Sequence, residues 1–181
     1  MGTNEDVEIL KSLRTLTDKP FKVDVNAGWT LDEALIKIPQ LQTLGIEMIE
    51  QPLAKNDWDG MKILYKKSPI PLFADESCVF ENDVEKCVNH FHGINIKLTK
   101  CGGITPALRM IKRARELNLK IMMGSMNETG IGSAAIANFL PQLDLVDVDG
   151  PLLLKDNSVR GLTIENGVVT LSGNPGLGVT E

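Results

Sequence analysis

Short runs of apolar residues recur along this chain, and most of them end on a charged or polar side chain. Runs beginning near Lys22, Ile46, Pro71, Ile94, Lys120 and Leu143 read as strands bounded by turn-forming residues. Between them the apolar positions shift toward helical spacing. Thr30 stands where a side chain caps a helix predicted over residues 31–44, and Gly45 supplies its stop. Thr105 and Pro106 read as N-cap and first residue of a helix over 107–117, with Leu108, Ile111 and Leu117 in phase. Ahead of the first strand, Val7, Leu10, Leu13 and Leu16 mark an amphipathic helix on residues 4–17. Near the end, residues 162–171 read as a hairpin turned at Asn166-Gly167.

One strand followed by one helix, repeated, predicts an α/β fold with a parallel sheet. A doubly wound sheet accepts six strands, but no Gly-x-Gly-x-x-Gly follows the first one. A complete (β/α)₈ barrel needs eight strands and about 250 residues, and this chain has 181. The expectation is therefore a partial TIM-type (β/α) barrel of six βα-like units, opening on a helix and lacking its first two strands. Residues 1–161 form the barrel domain in this reading, and 162–181 a C-terminal hairpin and tail.

Composition narrows the function classes. The chain is 43% hydrophobic and 24% charged, which is globular rather than disordered. Its formal net charge of −5 gives no footprint for nucleic acid or an anionic membrane. Cys78, Cys87 and Cys101 are odd in number and lack CxxC spacing, so they are expected to be reduced thiols in a cytoplasmic protein. Neither a signal peptide nor a membrane span is expected.

The chemistry lies at the strand ends. Asp24, Glu50, Asp75 and Lys97 close successive runs at intervals of 26, 25 and 22 residues. In a parallel array those ends open on one face, so three carboxylates and an ammonium converge. Carboxylates gathered there repel one another unless a cation sits among them. Oxygen-only ligands favour Mg²⁺, with Mn²⁺ as the alternative. Asn26 keeps the strand phase of Asp24 and is placed to hydrogen-bond within the shell. Asp147 and Asp149 lie two apart at the end of the sixth run, in phase to grip a cationic group. His90 and His92, Met122 and Met123, Trp29 and Trp58 read as structural or packing residues. Gly102-Gly103 reads as close packing at a turn.

Four ordered segments carry a resemblance. Asp24-Val25-Asn26-Ala27-Gly28-Trp29, Ile49-Glu50-Gln51-Pro52, Ala74-Asp75-Glu76-Ser77 and Ile96-Lys97-Leu98-Thr99-Lys100-Cys101-Gly102-Gly103 closely resemble the muconate-lactonizing subgroup of the enolase superfamily. Within it the sequence looks most like the dipeptide epimerases. The resemblance implies that Asp24, Glu50 and Asp75 bind Mg²⁺ and that Lys97 is a catalytic acid/base. It implies abstraction of a hydrogen α to the substrate carboxylate, through an enediolate, with a dipeptide as the small-molecule substrate. Pairing of Lys or His bases with magnesium in this superfamily is itself a stated example of the general rule. Ser125, Met126 and Asn127 then line the substrate pocket, with Glu128 either beside them or exposed. Asp147 and Asp149 hold the substrate's α-ammonium. Lys100 is the competing base, three residues past Lys97 and expected to point elsewhere or to support it electrostatically.

The resemblance also implies a separate capping domain and a second lysine, in a Lys-x-Lys element, which falls before Met1. Related alternatives are a cycloisomerase or an o-succinylbenzoate synthase using the same metal and Lys97. A third is a half-barrel whose open sheet edges pair with a second copy, as a homo-oligomer, or with a complementing barrel fragment.

Overall fold

The computed structural model describes residues 1–155 and 159–180. Helix α1 (Asp6–Arg14) leads into six strands, β1 (Phe21–Asp24), β2 (Ile46–Glu50), β3 (Leu72–Ala74), β4 (Gly93–Ile96), β5 (Lys120–Gly124) and β6 (Leu145–Asp147). They lie side by side in sequence order, and every neighbouring pair is parallel. A partial α/β barrel with β1 and β6 at its edges is the result.

Helices α2 (Leu31–Gln42), α3 (Trp58–Lys67), α4 (Leu98–Cys101), α5 (Ile104–Glu116) and α6 (Gly130–Ala137) fill the connections. The β3–β4 connection instead carries a 3₁₀ segment, Glu81–Cys87. Thr30 caps α2 as expected, and Glu33 reaches back to close a capping box. The start of α5 differs from expectation. Gly103 is its N-cap, which puts Thr105 and Pro106 inside the first turn. The φ of +107° at Gly103 turns the chain into the helix two residues earlier than a cap at Thr105 would. Helix α1 is also shorter than its apolar pattern, which leaves Leu16 80% exposed beyond its end.

Strand alternation sorts the core into two layers. Val23, Ile49, Leu72, Ile94, Ile96, Ile121 and Met123 face outward and pack beneath the helices in the main core. Met48, Phe73 and Met122 face inward and form a smaller cluster with Leu145. The adjacent methionines thus divide between the layers. Trp58 packs edge-on against His90 and Phe91, and His92 Nδ1 accepts the Leu72 N–H. These two histidines are structural.

Strands β7 (Leu162–Glu165) and β8 (Val168–Leu171) form the expected hairpin, with Asn166 and Gly167 both at positive φ. Ile164 and Val169 pack against the main core. The three cysteines are free and buried. Among the described residues, no helix is long and apolar enough to cross a membrane.

Gly93 tests the inner layer. A Cβ there would fall on the Phe73 ring and 2.8 Å from the Lys120 carbonyl. Gly93→Ala is expected to cost about 1–3 kcal/mol through overpacking. A lowered denaturant midpoint with an unchanged slope is the readout; an unchanged midpoint would mean that Phe73 swings aside freely.

Candidate active site

Period-two alternation places the last inward-facing residue of each strand at the same rim. Strands β1 and β2 end together, Asp24 opposite Glu50. The β5 end, Gly124, pairs with Asp147 of β6. A cavity of about 260 Å³ below the rim is lined by Lys22, Asp24, Glu50, Met48, Met122 and Asp147, among others.

Glu50 is only 5% exposed and accepts a 2.6 Å hydrogen bond from Asn95 Nδ2. Burial pushes its pKa up to about 7, opposed by the Asn95 bond and reinforced by the charges of Asp24 and Asp75. Asp75 is buried one residue past β3. Its Oδ2 takes the Lys97 ammonium at 2.7 Å and its Oδ1 takes Lys100 at 2.8 Å. Lys97 Nζ also lies 4.0 Å from Glu50 Oε1, so the positive charge between these two carboxylates is the lysine's own. Burial works to lower the Lys97 pKa. The Asp75 hydrogen bond outweighs it, together with the charges of Asp75, Glu50 and Asp24, and the net shift is upward. In this arrangement Lys97 is a protonated partner of acids.

Lys100 faces the cluster as well, because the chain leaves β4 directly into α4 and a helical turn replaces strand alternation. It supports Asp75 rather than pointing away. Asn26 does not keep the phase of Asp24. Strand β1 ends at Asp24, Asn26 and Ala27 take positive φ, and the Asn26 backbone N–H, not its side chain, donates to Asp24 Oδ1 at 2.8 Å.

Asp147 ends β6, and its pKa is raised by loss of hydration and then by Asp149, with Lys97 opposing. Asp149 is not in strand phase with it; its backbone is helical and opens the 3₁₀ segment Gly150–Leu153. Ser125 extends the β5–β6 ladder by donating its N–H to the Asp147 carbonyl at 2.8 Å. Met126 and Asn127 follow on the exposed rim. Glu128 is buried, and its carboxylate accepts the Met126 N–H, which fixes this loop from beneath.

Two residues at the site escaped the sequence reading. Asn95 shares the phase of Lys97 on β4, a signal that was present in the period. Gln51 had no such signal. It is fully buried at φ +35°, and its Oε1 accepts the N–H groups of Asp75 and Ser77, tying the β2 and β3 ends together.

Among the described residues, no group of three His, Cys, Asp or Glu side chains is drawn into a ready cation cage. The donor set nevertheless fits a hard divalent ion. It is oxygen-only, it is held acid against acid by an ammonium, and Asn95 Oδ1 lies buried beside it without a partner.

Glu50 makes this electrostatic balance measurable. A carboxyl whose folded pKa lies above its unfolded value binds its proton more tightly when folded, so stability rises as pH falls through that window. Without added metal, the chain is expected to be more stable near pH 5 than near pH 8 by up to about 3 kcal/mol from this group. Glu50→Gln removes this group's share of the gradient, and saturating Mg²⁺ flattens it. Thermal melts of both proteins at the two pH values check this; identical slopes would remove Glu50 as the cause.

The family model described as enolase C-terminal domain-like matches residues 1–180. An L-Ala-D/L-amino acid epimerase of Flavobacterium johnsoniae is 50% identical over 180 residues, covering 99% of this chain and 54% of that protein. An L-Ala-D/L-Glu epimerase of Bacteroides thetaiotaomicron is 40% identical, covering 100% and 48%. The chain thus spans about half the length of the curated relatives it matches. A dipeptide epimerase of Enterococcus faecalis, solved with Mg and the dipeptide L-Leu-L-Tyr, superimposes with a TM-score of 0.94 at 30% identity, covering 100% of this chain and 54% of that one. With its partial barrel, its rim of acids and lysines, and a family match along nearly its whole length, this chain belongs to the enolase C-terminal domain-like family.

Proposed function

We propose that this chain carries the metal ligands and one acid/base of a dipeptide epimerase. The observation that carries the reading is the Lys97 ammonium set between Glu50 and Asp75 at the strand ends, with the charge of Asp24 felt by both Glu50 and Lys97. Asp24, Glu50 and Asp75 would hold Mg²⁺. A divalent ion on those oxygens supplies positive charge that relieves their mutual repulsion and stabilises charge developing on a substrate carboxylate.

With those acids turned to a cation, Lys97 would keep fewer of the charges that hold its proton, and burial, which lowers its pKa, would weigh more. A neutral lysine at that position can take the hydrogen α to a carboxylate and return it to the same face. Lys100 continues to neutralise Asp75 from the other side. Asp147 and Asp149 set negative charge at the rim, which suits the α-ammonium of a dipeptide and not an uncharged ring. Ser125, Met126 and Asn127 border the same opening.

Solvent exchange tests the reading directly. With Mg²⁺ in D₂O, the α-hydrogen of the C-terminal residue of L-Ala-L-Glu is expected to be replaced by deuterium, and EDTA to stop the exchange. Proton NMR follows the signal. An absence of exchange across a dipeptide library would turn the assignment toward a cycloisomerase or dehydratase.

A further inference from the structure

Asn95 is 2% exposed and lies on the inner face of β4, two residues before Lys97. Its two amide ends are treated differently. Nδ2 donates to Glu50 Oε1 at 2.6 Å, while Oδ1 is enclosed and has no hydrogen-bond partner. Buried polar atoms are rarely left unpaired, because the lost hydration is not recovered, and an exception calls for an explanation. The neighbouring strand β5 leaves room for the amide. Gly124 has no side chain, and a Cβ there would lie 2.8 Å from Asn95 Nδ2, 2.9 Å from its Oδ1 and 3.2 Å from Lys97 Cε. Gly124, Asn95 and Lys97 therefore meet at one point, and the unpaired oxygen sits among the groups that surround the site.

Orientation follows from donor and acceptor roles. An amide NH₂ can only donate, so the Glu50 oxygen that it touches must accept. Asn95 thereby fixes the rotation of the Glu50 carboxylate and favours its ionised form. The carbonyl end is then obliged to face away from Glu50, enclosed and without a partner.

We propose that Asn95 is a positioning residue for divalent-cation binding: its NH₂ sets Glu50 as a ligand, and its free Oδ1 accepts a hydrogen from water carried by the incoming ion. The inference rests on the metal reading of Asp24, Glu50 and Asp75 given above. Partners of this kind, one bond removed from the ion, typically change affinity by about 10–100-fold when lost.

The test is Mn²⁺ titration of the unaltered chain and its variants, followed by calorimetry and by the paramagnetic signal of free Mn²⁺, with no substrate present. Asn95→Leu keeps the branched shape and removes both polar ends; it is expected to weaken Mn²⁺ binding by about 10–100-fold. Asn95→Ala is the second variant should leucine prevent folding, with circular dichroism and thermal melts confirming the native state. Met123→Leu, on the opposite face of the neighbouring strand, is expected to leave the affinity unchanged. Equal Mn²⁺ affinity in the wild type and a folded Asn95 variant would overturn this inference alone. Equal weakening by Met123→Leu would also overturn it, since general loosening of the sheet would then be the cause. No Mn²⁺ binding by the unaltered chain would sink the metal reading, and this inference with it.

Discussion

Lys97→Met is expected to slow α-hydrogen exchange of the dipeptide by roughly 10²- to 10⁴-fold, the usual contribution of a positioned acid/base. Methionine keeps most of the side-chain length and its apolar packing but can neither take nor return a proton. The same substitution removes the ammonium that lies 2.7 Å from Asp75 and 4.0 Å from Glu50. A divalent ion then no longer competes with a resident cation, so Mn²⁺ affinity is expected to hold or rise while exchange collapses. Those opposite signs separate a lost base from a damaged site. Lys100→Met supplies the comparison, because Asp75 keeps Lys97 as its partner and the base itself remains. Its effect on exchange should be smaller. Exchange retained in Lys97→Met but abolished in Lys100→Met would reverse the assignment of the base.

What the sequence disclosed about this site follows from the physics of strands. Buried strands are apolar, so an acid or lysine at the end of such a run stands out, and Asp24, Glu50, Asp75 and Lys97 were legible for that reason. The hairpin was legible because Asn-Gly suits a turn that requires two positive φ values. Where the chain leaves the strand, the same reasoning fails. The strand phase that alternation gives Asn26 ends two residues earlier, and alternation misplaces Lys100 because α4 begins at Leu98. Glu128 could not be placed from the sequence, since its burial depends on the backbone of its own loop. Gln51 makes its contact 24 residues away, and no local pattern carries such a distance; for Asn95 the strand period gives the face but not the partner, Glu50, 45 residues away. A polar residue without a motif reads as solvated until its partner is in view.

Asp6 belongs to that illegible class, and its loss is expected to be strongly destabilising. It is fully buried, although nothing in its sequence neighbourhood distinguishes it from a solvated acid at a helix start. One carboxylate oxygen accepts the N–H groups of Gly2 and Thr3 at 2.9 and 3.0 Å and the Trp29 Nε1–H at 2.7 Å; the other takes the Thr3 hydroxyl at 2.9 Å. Lys37 Nζ stands 3.8 Å away and donates to the Thr3 carbonyl. Asp6 thus joins the N-terminal segment, α1, α2 and the loop after β1, the loop that follows Asp24. Asp6→Ala would strand a buried indole N–H and leave a nearly buried ammonium without its counter-charge. Removing one partner of a buried pair typically costs about 3–5 kcal/mol, and the change is expected to fall in that range, with Asp24 displaced alongside. Asp6→Asn keeps the shape and isolates the charge. Burial alone would raise the Asp6 pKa, but the bonds from Trp29, Gly2 and Thr3 outweigh it and hold the carboxyl below its usual range. A group with a depressed folded pKa stabilises above its unfolded value and loses that contribution as pH falls through the folded one. The stability gap between wild type and Asp6→Asn should therefore be full at neutral pH and should shrink progressively below about pH 4. Denaturant unfolding at pH 7 and pH 3 measures the gap; one that stays constant across that interval would show that shape, rather than charge, holds the N-terminal knot together.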